Sequence, residues 1–232
     1  MNNNLTEFQN RIGYVFKDIG LLKLALTHSS YGKEVHHDKH YNNERLEFLG
    51  DAVLEITVSE YLFDKYATRP EGELTKIRAS IVCEPTLAIC AREIELGDMI
   101  MLGKGEEVTG GRFRDSITSD AMEAVLGAIY RDGGIECARN FVHNHILNDI
   151  DRKKLFVDSK SILQERVQAK HQDGPQYELI SESGPDHDKE FKVNVMVDGC
   201  VVGEGVGRTK KAAEQHAAYD AISKNKVSVW YV

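Results

Sequence analysis

Five carboxylates in two short stretches could do chemistry in this chain. In NERLEFLGDAVLE, residues 43–55, Glu44, Glu47 and Asp51 recur three and four apart. In SITSDAMEAVLGAIYRDGG, residues 116–134, Asp120 and Glu123 stand three apart. At ~100° per helical residue, Glu47 and Asp51 fall within ~60° of Glu44, while Leu46, Leu49, Val53 and Ile56 fall on the opposite face, toward a core. A solvated acidic stripe above a buried apolar one is the ordinary account of such a helix. Glu47 and Asp51 are nevertheless like charges at i, i+4, unfavourable by roughly 0.2–0.5 kcal/mol, and the stretch places no lysine or arginine to offset them. Phe48 and Leu54 flank the stripe, so the carboxylates are expected to be only part-exposed. Partly buried, unpaired carboxylates are unfavourable unless a cation joins them. Glu55 lies near the same line.

The second acidic pair sits among small and apolar residues, Ala121, Ala124, Val125, Leu126 and Ala128. Two such helices packed side by side would form a cluster of oxygen ligands. Hard oxygen ligands without histidine or cysteine suit Mg²⁺, which keeps several waters and meets phosphate oxygens directly. That donor set fits metal-assisted phosphodiester hydrolysis.

The elements around these stretches come in two styles. From Glu7 to about Asp151 apolar residues recur at helical spacing, in Ile19–Ala25, Leu46–Tyr61, Leu74–Cys90, Ala121–Tyr130 and Glu136–Ile150. Breaks fall at Pro70-Glu71-Gly72, from Gly103 to Gly111, and at Asp132-Gly133-Gly134. The stretch GKGEEVTGGRFRDS reads as a loop; no strand precedes it, so it is not a dinucleotide-binding turn. After Asp158 the period changes. Ser161–Lys170 is helical, Tyr177–Ser181, Phe191–Val197 and Val201–Gly205 read as strands, and Lys210–Lys224 is an alanine-rich helix. Asp198-Gly199 is a tight-hairpin signal. The expectation is an all-α N-terminal domain, residues 4–151, a short polar linker, 152–157, and a small α+β module of order α-β-β-β-α, 158–226.

Composition narrows the class. The 232 residues are 41% hydrophobic and 28% charged, with a formal net charge of -8, as in an ordinary soluble protein. No run approaches the ~20 apolar residues of a membrane span, and the N-terminus lacks a signal-peptide pattern. Cys83, Cys90, Cys137 and Cys200 show no CxxC spacing, and Cys83 and Cys90 suit two core positions on one helix face. A cytoplasmic protein with no membrane partner is expected. Global acidity does not announce a nucleic acid; even residues 158–226 carry ten Lys+Arg against twelve Asp+Glu. Any RNA would have to bind local basic patches. His36, His37 and His40 read as a solvated loop, His28 as a hydrogen-bonded core residue rather than a base, and Asp149-Ile150-Asp151 as a helix end.

NERLEFLGD followed by SDAMEA closely resembles the bacterial ribonuclease III family. Further matches are ALTHSS (Ala25–Ser30), EGELTKIRASIV (Glu71–Val82) and GGRFRDS (Gly110–Ser116), and the resemblance covers essentially the whole chain. It implies a helical nuclease domain followed by a double-stranded-RNA-binding domain. It places Glu47, Asp51, Asp120 and Glu123 on the family's metal-binding and catalytic carboxylates, with Asp51 and Glu123 the least replaceable. Glu44 falls on an acidic position near the site, and Glu71 on one associated with the RNA-facing cleft. The implied reaction is Mg²⁺-dependent hydrolysis of both strands of duplex RNA, Mn²⁺ being a possible substitute. It would leave 5′-phosphate and 3′-hydroxyl ends with short 3′ overhangs. Implied substrates are precursors of ribosomal RNA and some messenger and transfer RNAs, with no DNA expected. Ser119 and Met122 depart mildly from the family pattern, and neither removes a ligand. One acid set per chain attacks one strand, so cutting both calls for a two-fold homodimer, with Phe48 and Leu49 as interface candidates. The runner-up is a protein that holds duplex RNA without cutting it.

Three segments of the C-terminal module could touch RNA. Gln164 and Glu165 on SKSILQERVQAK could reach a minor groove, and His187 stands at the tip of the loop GPDHDKEF. Arg208, Lys210 and Lys211 lie at a helix start, where cations and free N–H groups suit phosphates. In this order they resemble the family's duplex-RNA-binding module, which reads shape.

Overall fold

The computed structural model describes residues 2–38, 40–169, 173–184 and 189–224. The chain forms two compact units, dividing between Ile150 and Asp151.

The first unit is helical. It comprises α1 (Asn2–Ile12), α2 (Ile19–Ala25), α3 (Ser29–Tyr31), α4 (Glu44–Lys65), α5 (Glu71–Ile81), α6 (Glu84–Glu93), α7 (Lys104–Val108), α8 (Asp115–Gly133) and α9 (Ile135–His145). Helix α8 is its centre, with Ala121, Met122, Ala124, Val125, Leu126, Ala128 and Ile129 all buried. A helix apolar nearly all round must lie inside, and α8 packs against α2, α4, α6 and α9.

Glycines set how closely α4 approaches α8. A Cβ added at Gly50 would stand 1.8 Å from the Glu123 carbonyl oxygen, and one added at Gly127 would stand 2.2 Å from that of Leu46. No side chain fits at either place, so the two backbones touch where the acidic stretches lie. The start of α4 is pinned by the chain before it. Asn43 N–H donates to the Thr27 carbonyl (2.9 Å), Glu44 N–H donates to Asn42 Oδ1 (3.1 Å), and Thr27 bridges to Met101.

The second unit follows from the change of period. Helix α10 (Ile150–Gln168) leads into antiparallel β1 (Gln176–Ser183), β2 (Glu190–Val197) and β3 (Cys200–Gly207), in spatial order β1-β2-β3, and then α11 (Lys210–Ser223). Asp198 and Gly199 have φ of 50° and 76°, the paired positive values of a tight two-residue hairpin. Val193, Val195, Val197 and Val202 are buried against Leu163, Val167, Ala213, Ala217 and Ala218. Small residues bring α11 down on β3: a Cβ at Gly205 would meet the Ala213 carbonyl oxygen at 2.1 Å.

Several expectations are corrected. Leu74–Cys90 is two helices, because the chain turns at Val82–Cys83 and Pro85 opens α6. Cys83 is therefore a half-buried N-cap, while Cys90 is buried. The stretch 103–116 holds α7 and a 3₁₀ turn, Gly111–Phe113. Residues 152–157 are helical within α10, and Asp149-Ile150-Asp151 is a helix end as expected, at the start of that helix. Ile56 does not face the core; it is 60% exposed.

The glycine contact is directly testable. We expect Gly127→Ala to force α4 and α8 apart, at a loss of about 1–3 kcal/mol or more for overpacking. That is a fall in melting temperature of roughly 2–4 °C per kcal/mol in a chain of this size. An unchanged melting curve would show that the helices do not depend on this contact.

Candidate active site: a carboxylate cluster

Because α4 and α8 touch at Gly50 and Gly127, Glu47 and Asp51 on one helix face Asp120 and Glu123 on the other. Glu47 and Asp51 flank Gly50, and the Glu123 backbone lies against it. Glu47 and Glu123 are half-buried, whereas Glu44, Asp51 and Asp120 reach the surface. The electrostatics confirm the grouping. Burial, then the charges of Asp51, Glu47 and Asp120, push the Glu123 carboxyl up to about 8. Burial, then Asp120, Glu44 and Asp51, push Glu47 up to about 6. Asp120 is also raised, by partial burial and by Glu84, and a hydrogen bond from Ser119 opposes the shift. These shifts have the signature of several carboxylates sharing one space without enough positive charge.

Such a donor set suits a hard divalent ion, being all oxygen and largely unpaired. Among the described residues no three of these side chains already close around one point.

The cluster differs from the sequence reading in its edges. Glu55 leaves the line, because its carboxylate pairs with Arg78 Nε of α5 at 2.8 Å. Glu71 is not among the main charges acting on Glu47, Asp120 or Glu123; it accepts a hydrogen bond from Thr75 instead (2.9 Å). Glu84, at the start of α6, joins the field around Asp120 and had no signal in the sequence beyond being one acid among many. His28 is half-buried and hydrogen-bonded as expected, yet the acids acting on it include Asp120 and Glu44. Ser119 and Met122, the two departures from the family pattern, are both buried.

In the second unit Arg208, Lys210 and Lys211 are exposed just before and within the first turn of α11. Its N-cap, Thr209, accepts a hydrogen bond from Ala212 N–H (3.1 Å). Glu165 is exposed on α10 and Gln164 is half-buried; a Cβ at Gly174 would meet Gln164 Nε2 at 2.5 Å. His187 lies outside the described residues.

Comparison with known proteins agrees with both units. Residues 18–150 match the family described as Ribonuclease-III-like, and residues 159–225 match the double-stranded RNA binding motif. A ribonuclease 3 of Pelotomaculum thermopropionicum is 49% identical over 224 residues, 95% of this chain and 93% of its own length. A ribonuclease 3 of Bacillus licheniformis is 47% identical over 220 residues, covering 94% of this chain and 88% of its own. The crystal structure of the nuclease domain of a ribonuclease III from Campylobacter jejuni is 45% identical. It superposes with a TM-score of 0.58 over 63% of this chain and 95% of that one.

The raised carboxyl of Glu123 makes stability depend on pH. A carboxyl that binds its proton more tightly when folded favours the fold below its unfolded value, and that contribution is lost as pH rises through the folded value. For Glu123 the window runs from about 4.5 to about 8. In EDTA, Glu123→Gln should therefore match the parent's melting temperature near the bottom of this window and exceed it above the top. A difference that does not change with pH would contradict this assignment.

Proposed function

The chain belongs to the ribonuclease III family and is an endoribonuclease, and from that premise we propose that Glu47, Asp51, Asp120 and Glu123 hold Mg²⁺ and hydrolyse both strands of duplex RNA. The products would be 5′-phosphate and 3′-hydroxyl ends with short 3′ overhangs. The observation that carries the reading is the pairing of two acids from α4 with two from α8, in a space where their charge is unneutralised. Bound there, the divalent ion supplies Lewis-acid stabilisation of charge developing on the phosphodiester; Mn²⁺ would offer the same oxygen chemistry. Because the Glu123 carboxyl is raised, ion binding and proton release at this group would be linked. Asp51 and Asp120, nearer the surface, would be the first of the four to meet an arriving phosphate. Glu44 adds to the field at the edge of the site. Glu71, apart from the cluster in its own chain, is assigned to the cleft that receives RNA.

The second unit supplies affinity that the acid cluster cannot. Gln164 and Glu165 would reach a minor groove, and Arg208, Lys210 and Lys211 would meet phosphates at a helix N-terminus. His187 is proposed as a further groove contact. A binder that never cuts is the weaker reading, since a binder has no use for four clustered acids that repel phosphate. The proposed substrates are precursors of ribosomal RNA and some messenger and transfer RNAs, and the proposed location is the cytoplasm. Among the described residues, no helix is long and apolar enough to cross a membrane.

Cutting two strands calls for two acid sets, and α4 offers the surface for pairing. Phe48, Ile56 and Phe63 are 80%, 60% and 74% exposed. They fall within an arc of ~80° on the helix. Leu49 beside them is half-buried. We propose that this line is the interface of a two-fold homodimer. The Campylobacter jejuni nuclease domain, in a second structure 46% identical with a TM-score of 0.57, is described as having structural flexibility in a region involved in dimer formation.

One experiment tests both halves on a labelled RNA duplex. The parent should cut with Mg²⁺ and not with EDTA, and Glu123→Ala should bind without cutting. The double variant Lys210→Ala/Lys211→Ala should bind more weakly, with a salt slope flatter by about one for each phosphate that is no longer neutralised. Cleavage by Glu123→Ala, or an unchanged salt slope, would refute the respective assignment. For the dimer, Phe63→Asp should sediment as a monomer at concentrations where the parent is dimeric. A monomeric parent at micromolar concentration would remove the interface.

A further inference from the structure

Helix α4 runs without a break from Glu44 to Lys65, so its acidic line does not stop at Asp51. Glu55 follows one turn later, within ~40° of Asp51 around the helix axis. Residues four apart on a helix are neighbours, about 5–6 Å between Cβ atoms. Glu55 therefore stands beside Asp51, on the side away from Glu47. What sets it apart from the four central acids is Arg78 of α5. Arg78 Nε lies 2.8 Å from Glu55 Oε2, and the two side chains are 36% and 38% exposed.

The guanidinium is fixed at a second point. Arg78 Nη1 donates to Ser59 Oγ at 2.9 Å. Ser59 Oγ gives its own proton to the Glu55 carbonyl at 2.6 Å, which leaves the oxygen free to accept. One arginine thus grips α4 at two positions a turn apart, with its planar fork oriented by both. An ion pair this exposed contributes little to stability. Its charge matters more for what can happen next to Asp51. With Arg78 removed, Asp51 and Glu55 would be a second pair of neighbouring carboxylates, both on one helix. One or two carboxylates completed by waters are enough to hold Mg²⁺. An ion settled there would divert Asp51 from the site it shares with α8.

We propose that Arg78 is a positioning residue that closes the acidic line at Asp51: by holding Glu55 it denies divalent ions a second place on α4 and keeps Asp51 for the four-carboxylate site. This rests on the proposed cation-dependent cleavage.

The test counts Mn²⁺ bound to the full-length protein without RNA, from the loss of the free ion's electron-spin signal, and measures cleavage separately. Arg78→Gln keeps N–H donors and removes the charge. It should bind an additional Mn²⁺ per chain, and it should need about tenfold more Mg²⁺ for half-maximal cleavage, the scale on which outer partners of metal ligands act. Arg78→Lys, which keeps the charge, should bind Mn²⁺ as the parent does. The double variant Glu55→Gln/Arg78→Gln should return both the ion count and the Mg²⁺ requirement to those of the parent. If Arg78→Gln gains no ion or keeps the parent's Mg²⁺ requirement, if Arg78→Lys gains the ion as well, or if removing Glu55 restores neither quantity, then Arg78 only braces α5 and the proposal is overturned. Failure of the parent itself to cut RNA with Mg²⁺ would instead overturn the function on which the proposal rests, and the ion count would still decide the role of Arg78.

Discussion

The contact between Gly50 of α4 and Gly127 of α8 is the constraint on which the rest of the site depends. Helices usually keep their axes 8–10 Å apart because side chains intervene. Here neither glycine leaves room even for a methyl group, since each Cβ would fall within 2.2 Å of a carbonyl oxygen across the interface. Backbones that close put Glu47 and Asp51 opposite Asp120 and Glu123. A looser crossing would give two separate acidic stripes, each hydrated and each chemically inert.

Closeness of like charges opposes folding, and the fold meets that in two ways. The apolar faces of α4 and α8 bury residues that have no other place to go, Leu54, Val58, Val125 and Ala128 among them. The acids themselves respond by holding protons: Glu123 rises to about 8 and Glu47 to about 6. The edges of the cluster are treated differently. Arg78 neutralises Glu55 and Arg114 neutralises Glu106, which leaves unpaired charge concentrated on the four central carboxylates.

Much of this was legible from residues alone, because the signals were local. The three-and-four spacing of Glu44, Glu47 and Asp51, the alternation in Phe191–Val197 and the Asp198-Gly199 turn each depend on near neighbours in sequence. The misreadings came where the deciding partner lay elsewhere. Ile56 has a core-facing position by angle, yet no element covers it in the single chain. Cys83 sits at a helical spacing from Cys90, but Pro85 and the turn at Val82 start a new helix. Residues 152–157, expected as a connection between the domains, are helical within α10. Glu55 could not be removed from the acid line without Arg78, 23 residues later. His28 was read correctly as hydrogen-bonded, through its Nδ1 and Ser30.

The most direct test of the account is where a divalent ion settles. Crystals of the full-length protein with duplex RNA and Mn²⁺ would reveal the metal by its anomalous scattering. The glycine-closed cluster predicts a peak ligated by carboxylate oxygens from both helices, drawn from Glu47, Asp51, Asp120 and Glu123. A peak held by residues of one helix only, or one elsewhere with this cluster empty, would contradict it.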